Sequence, residues 1–180
     1  LRLVEQPGNR IMLAGAGNIG LRLAQALEQR HYQVKLIESS RERARQVAEL
    51  LGESIVLHGN AADEELMTQE NIENAEAFCS ITNEDEANIL SAMLAKRLGA
   101  RRTMALVNRS AYVDLVETRM LDIAISPKIA TVGILLAHIR RADTVAVHSL
   151  RRGAAEVIEI IAHGEPSSSR VVGQRIDQIQ

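Results

Sequence analysis

The sequence predicts a doubly wound α/β fold, a parallel sheet with helices on both faces. Three observations predict it. Six short apolar runs alternate with longer amphipathic stretches, a glycine-rich turn joins the first run to the first helical pattern, and a carboxylate ends the second run. The runs are 10–14, 33–38, 54–58, 77–81, 103–107 and 122–126, and helical patterns fall at about 18–30, 40–51, 63–71, 84–98 and 110–120. Right-handed crossovers then place the first and fourth strands side by side. That leaves a crevice at their carboxyl ends, where ligand contacts should gather just after each strand.

The first element, Ile11-Met12-Leu13-Ala14, leads into Gly15-Ala16-Gly17-Asn18-Ile19-Gly20. Leu21, Leu23, Ala24 and Leu27 then recur at helical spacing, and Val34-Lys35-Leu36-Ile37 ends on Glu38. A bare GxGxxG is weak, because glycine-rich turns are common. Here a strand precedes it, a helix follows, and an acidic residue stands about twenty positions on. Together these make the Rossmann dinucleotide signature. Gly15 permits the strand-to-helix turn, Gly17 leaves room for a pyrophosphate, and Gly20 lets the helix lie close on the sheet. The free N–H groups at the helix start hold phosphates. Glu38 is placed to accept hydrogen bonds from an adenosine ribose and so to favour NAD(H) or ADP/ATP over NADP(H). Ser39, Ser40, Arg41 and Arg43 would cradle a 2′-phosphate only if Glu38 turned away.

Three later loops are candidates for the same crevice. Gly59-Asn60-Ala61 follows the third strand, where the Asn60 amide either meets a base edge or caps the helix beginning near Asp63. Thr82-Asn83-Glu84-Asp85 follows the fourth, where Thr82 and Asp85 match a capping box while the loop faces the phosphates. Asn108-Arg109 follows the fifth and is a phosphate contact, a subunit contact or a solvated turn.

After Ser126-Pro127, residues 128–141 form a different element. Ile129, Val132, Leu135, Leu136 and Ile139 make an apolar stripe at helical spacing, which packs either on its own sheet or on another subunit. From Asp143 the pattern reads as a β-hairpin, Thr144-Val145-Ala146-Val147 against Glu156 to Ala162, and Val171 starts a further element. Some forty residues are too few for an independent core, so this is read as the start of a small α+β domain cut short. The expected division is 1–142 and 143–180.

The bulk numbers narrow the class. The chain has 180 residues, 46% of them hydrophobic, and a net charge of −2, which argues against a general nucleic-acid binder. Its single cysteine, Cys79, lies inside an apolar run, so no disulfide framework or thiolate metal site is expected, and that usage fits a reducing cytoplasm. No apolar stretch reaches membrane-spanning length. The chain opens at Leu1 without a signal peptide, as expected of an excised piece. The histidines 31, 58, 138, 148 and 163 are scattered, and His58, nearest the crevice, reads as a strand-end residue. No nucleophile–base pair can be assembled, and an enzyme of this fold needs a substrate domain carrying one.

GAGNIG at 15–20, Glu38, HGNA at 58–61, SITNEDEANI at 80–89, ALVNR at 105–109 and SP at 126–127 together resemble the RCK, or KTN, regulatory domain. The resemblance covers about residues 8–142, and the tail resembles the start of that family's small C-terminal domain. It is nearest to the second nucleotide-binding half of tandem members. It implies a cytoplasmic, peripheral, non-enzymatic subunit that binds NAD(H), or alternatively ADP/ATP, and regulates a Trk-type potassium-transporting membrane protein. It also implies pairing through the 128–141 helix into at least a homodimer. Carried over by position, Gly15, Ala16, Gly17, Asn18, Ile19 and Gly20 hold phosphates, and Glu38 with Ser39 the ribose. Asn60 and Ala61 lie on the adenine side, Thr82 and Asn83 line the phosphate crevice, and Arg109 is a further contact. Asn60 stands where many members have Asp. The rival class is the cofactor domain of an NAD-dependent dehydrogenase.

Overall fold

In the computed structural model, residues 9–109, 111–112, 116, 120–139, 144–150, 155–160, 171–173, 175 and 177 are described, with backbone alone for 136–139 and for the two strands of the hairpin. Six strands form one parallel sheet: β1 Arg10–Ala14, β2 Gln33–Glu38, β3 Ile55–His58, β4 Ala77–Ser80, β5 Thr103–Leu106 and β6 Ile123–Ile125. Their order is β3-β2-β1-β4-β5-β6. The chain thus winds outward from β1 in one direction, then from β4 in the other, and the reversal between β1 and β4 is the topological switch point. The register sets Ala14 beside both Ile37 and Ser80, so the three strands flanking the switch point end at one level.

The helices are α1 Asn18–Glu28, α2 Arg41–Leu50, α3 Glu64–Gln69 and α4 Asp85–Arg97, with a 3₁₀ turn at Ile72–Asn74. The strand and helix patterns expected from sequence are met within a few residues at each end. The exception is the 63–71 stretch: α3 stops at Gln69, and left-handed Asn71 (φ 59) starts the 3₁₀ turn, a break that apolar periodicity does not report. Of the helix expected over 110–120, Ala111 and Tyr112 are helical and most of the rest lies outside the described residues.

Alternation along the strands splits the core into two layers. Ile11 and Leu13 of β1 join Val34, Leu36, Ala24 and Val47 under α1 and α2. Met12 and Ala14 join Ile37, Met67, Phe78, Ala92 and Ala95 under α3 and α4. Phe78, Leu13 and Leu36 are completely buried. Cys79 lies in the first of these layers, where burial pushes its thiol up to about 11, so it behaves as a small apolar side chain. Several carboxylates brace the edges. Glu28, at the end of α1, accepts from the N–H groups of Gly52, Glu53 and Ser54 and from the Ser54 hydroxyl. Asp122 accepts from the Thr103 N–H and pairs with Lys96.

By compactness the chain divides between Pro127 and Lys128. The second unit holds α5, Pro127–Ile139, from its second residue onward, over the stretch expected to be helical; residues 140 and 141 lie outside the described ones. It also holds an antiparallel pair, β7 Thr144–Leu150 and β8 Ala155–Ile160, the expected hairpin, with a register irregularity between Thr144 and Ala146. The element expected from Val171 is a turn over Val171–Gly173, beyond which most residues lie outside the described set.

Candidate nucleotide site

A cleft of about 520 Å³ opens at the carboxyl ends of β1, β2 and β4. That falls within the 300–1,000 Å³ range typical of small-molecule sites. Its floor is the glycine turn. Gly15 has φ +104°, and a Cβ there would lie 2.9 Å from the Thr82 nitrogen, so both conformation and space require glycine. Gly20 is needed for a different reason: a Cβ would sit 1.9 Å from the Gly15 carbonyl oxygen. Gly20 lets α1 start directly against the turn. Gly17 is unlike either. It is the N-cap of α1 with ordinary extended dihedrals, and nothing lies within 4 Å of where its Cβ would be. The space in front of Gly17 is open, beside a helix start with no side-chain cap to occupy its N–H groups.

Glu38 forms the second wall. Its Oε2 accepts the Ala16 N–H at 2.8 Å, and its Oε1 accepts the Ser40 N–H at 2.8 Å and the Ser39 hydroxyl at 3.3 Å. A carboxylate offers about four lone-pair sites, so with three of them taken about one acceptor direction, on Oε2, remains for a ligand hydroxyl. Arg43, on the first turn of α2, lines the same side and donates from Nε to the Ala16 carbonyl at 2.8 Å.

Gly59, Asn60, Ala61 and Ala62 form the wall beyond β3. Asn60 is committed locally: its Oδ1 accepts the Ala62 N–H at 2.9 Å, leaving its amide nitrogen for a ligand. It does not cap α3, because Asp63 does, accepting from Glu65 and Leu66.

The fourth wall is Ile81, Thr82, Asn83 and Glu84, with Ala87 and Ser91 behind. Here the capping box expected of Thr82 and Asp85 is absent. Glu84 is the N-cap of α4 without a side-chain hydrogen bond, and both expected partners are engaged elsewhere. The Thr82 hydroxyl donates to Asn88 Oδ1 at 2.7 Å. Asp85, 4% exposed, accepts from the backbone N–H groups of Asn108 and Arg109, both at 2.8 Å, and from the Asn108 amide at 3.0 Å. Burial pushes the Asp85 carboxyl up, but these hydrogen bonds outweigh it and hold the group below the ordinary carboxylate range.

Asn88 is the main residue that the sequence reading missed. Fully buried on α4, it accepts from the Ser80 and Thr82 hydroxyls and the Thr82 N–H, and donates to the carbonyls of Thr82 and Leu106. It fixes the shape of the Thr82 loop and ties it to the end of β5. Its signal in the sequence is faint: Asn88 and Ser91 are polar residues in register with core residues Ala92 and Ala95 on one helical face.

Of the sequence-predicted site residues, Gly15, Gly17, Glu38, Ser39, Asn60, Ala61, Thr82 and Asn83 line the cleft together. Ala16 is buried behind the turn, Asn18 and Ile19 are exposed on the first turn of α1, and Gly20 is packed beneath it. Arg109 is not brought in. Its guanidinium pairs with Glu86 at 3.0 Å, meets the Tyr112 hydroxyl at 2.8 Å and lies over the Tyr112 ring. His58 ends β3, exposed. Among the described residues no cluster of His, Cys, Asp or Glu is arranged to hold a metal ion, and no helix is long and apolar enough to cross a membrane.

Sheet order, switch-point cleft, glycine turn and strand-end carboxylate together define a Rossmann-type domain. More narrowly, the chain belongs to the TrkA-N domain family, whose sequence model matches residues 11–127. The Trk system potassium uptake protein TrkA of Halomonas elongata is 54% identical over 179 residues, covering 99% of this chain and 39% of that protein. The protein of the same name from Vibrio alginolyticus is 55% identical over 180 residues, covering 100% and 39%. The chain thus spans about two fifths of the length of the curated relatives it matches. Among solved structures, the GsuK channel is similar in fold. Its NAD-bound form has a TM-score of 0.63 at 18% identity (82% of this chain, 26% of that one). Its ADP-bound form has 0.61 at 17% (77% and 38%).

Proposed function

We propose that this chain is the nucleotide-sensing part of a Trk-type potassium uptake regulator, binding NAD(H), or alternatively ADP/ATP, without turning it over. The observation that carries the reading is the cleft itself. An open phosphate space at Gly17, a ribose-reading carboxylate at Glu38 and an uncommitted Asn60 amide line one cavity in the order a bound adenosine phosphate would meet them. Its described titratable lining is Glu38, Arg43 and Glu84, and the Ser39 hydroxyl on Glu38 belongs to the ribose wall in this reading. Relatives named as Trk potassium uptake proteins, and a channel of similar fold solved with NAD and with ADP, support both parts of the reading.

In this reading Gly15–Gly20 hold the phosphates and Glu38 with Ser39 the ribose. Asn60 and Ala61 face the base, Thr82 and Asn83 close the phosphate side, and Arg109 joins only by leaving Glu86. The chain corresponds to the second nucleotide-binding half of a tandem protein. Residues 1–142 are the binding piece and 143–180 the beginning of a small C-terminal domain. It works at the cytoplasmic face of the membrane, peripheral to a potassium-transporting subunit, as at least a homodimer through the 128–141 helix.

Regulation requires that the nucleotide differ in affinity for two conformations. The wiring for this lies in α4. Thr82 touches the cleft, Asn88 joins Thr82 to the Leu106 carbonyl, and Asp85 holds the N–H groups of Asn108 and Arg109. A ligand that moves the Thr82 loop therefore pulls on the exit of β5. The test is potassium flux in vesicles carrying the transporter with its full-length regulator. NADH or ADP should change flux in the wild type, and Gly17→Val should abolish the response. Flux indifferent to both nucleotides would overturn the regulatory reading.

A further inference from the structure

We infer that Arg43 is a positioning residue for the phosphate-binding turn: anchored on the Ala16 carbonyl, it fixes the Ala16–Gly17 peptide so that the Gly17 N–H faces the phosphates. The inference rests on the nucleotide reading above.

Arg43 is half-buried on the first turn of α2, its own N–H capped by the Ser40 hydroxyl. Its Nε donates to the Ala16 carbonyl at 2.8 Å, while Nη1 reaches Gln46 Oε1 at 3.4 Å. The N–H of the same Ala16 is held by Glu38 at 2.8 Å. One residue thus has its donor gripped by an anion from β2 and its acceptor gripped by a cation from α2. Ala16 is completely buried, and the space around a Gly17 Cβ is empty.

That last fact makes an external grip necessary. A trans peptide points its C=O and its N–H in opposite directions, so drawing the Ala16 carbonyl toward α2 turns the Gly17 N–H the other way. Glycine resists a peptide flip least of all residues, and Gly17 has no side chain to be held by its surroundings. A flipped Ala16–Gly17 unit would aim a carbonyl oxygen at the phosphates. The charge-assisted bond from Arg43 opposes that flip, and its planar guanidinium sets a direction that an ammonium does not.

The test measures ADP and adenosine affinities for wild type, Arg43→Lys and Arg43→Ala, by calorimetry or by competition with NADH fluorescence. Thermal melts check the fold. Both variants should weaken ADP by about tenfold or more, the loss expected for a hydrogen bond to a charged group. Adenosine, which lacks phosphates, should weaken less than about twofold, below the change that one such bond makes. Guanidinium ion added to Arg43→Ala should restore part of the ADP affinity and leave adenosine unchanged. Unaltered ADP binding in both variants would overturn the inference. So would an equal loss for adenosine, which would make Arg43 a direct contact of the nucleoside. Arg43→Lys keeps the test usable if Arg43→Ala folds poorly. A wild-type chain that binds neither ADP nor NADH would instead refute the underlying nucleotide reading.

Discussion

The glycines at 17 and 20 stand three residues apart in one motif, yet the structure gives their substitution opposite consequences. In Gly20→Ala the new methyl would lie 1.9 Å from the Gly15 carbonyl oxygen, a backbone atom whose peptide plane is held by the Ala16 N–H to Glu38 bond. Neither partner can swing aside, so α1 must move off the turn. Overpacking costs typically 1–3 kcal/mol, and a contact this short against backbone belongs at or above the upper end, about 3 kcal/mol. For a chain of this length each kcal/mol lowers Tm by roughly 2–4 °C, so a fall of about 6–12 °C is expected. In Gly17→Val the added atoms meet nothing within 4 Å and the dihedrals suit any residue. A poorer N-cap is offset by a less flexible unfolded chain, each worth about 1 kcal/mol or less, so Tm should stay within a few degrees. Nucleotide affinity should nevertheless fall by more than about tenfold, because the valine fills the phosphate space. Scanning calorimetry with and without NADH reads both quantities. A Gly17→Val protein with wild-type affinity would place the phosphates elsewhere. A Gly20→Ala protein melting with the wild type would show that the turn is not packed as described.

Other expectations follow from the same geometry. Glu38 should make NADH bind more tightly than NADPH, since a 2′-phosphate about 4 Å from the carboxylate costs on the order of 1–4 kcal/mol at a protein surface; calorimetric titration with NADPH tighter would reverse the assignment. Asp85→Ala leaves the N–H groups of Asn108 and Arg109 without their acceptor and should cost about 1.5–3 kcal/mol in urea unfolding, whereas a cost near zero would mean water replaces the carboxylate easily. Asp85, Asp122 and Glu28 are all held below their ordinary range when folded. Their stabilisation is therefore complete above about pH 5 and is lost as pH falls through the folded-state values, so stability should drop steeply below about pH 4; a flat profile there would contradict the hydrogen bonding described. On α5, Ile129, Val132, Ile134 and Leu135 are exposed, and Leu135→Glu should convert dimers to monomers in sedimentation; a wild type already monomeric at micromolar concentration would remove that interface.

The fold was legible because its signals are local. Apolar runs of strand length, a helix period between them and a glycine turn at the first junction determine a parallel sheet, and handedness then brings β1 beside β4. Most of the cleft was legible for the same reason, since strand ends are known once strands are. Where the structure departs from the expected local contacts, a partner distant in sequence takes part. Thr82 and Asp85 have capping-box spacing, but Asp85 finds N–H groups 23 and 24 residues away after β5, and Thr82 turns to Asn88. Arg109 follows β5 as expected, yet of the readings open to it the solvated one holds, because Glu86 and Tyr112 engage its guanidinium at the surface. Nor does any spacing rule announce that Arg43 would reach back 27 residues to the glycine turn.

The most direct test of the central claim is calorimetric titration of the purified wild-type chain with NADH and with ADP, with NADH fluorescence followed afterwards. The account predicts saturable binding of one nucleotide per chain, competition between the two ligands, and NADH that remains unoxidised when small carbonyl compounds are added. Absence of binding by either nucleotide at millimolar concentration, or steady consumption of NADH, would contradict it.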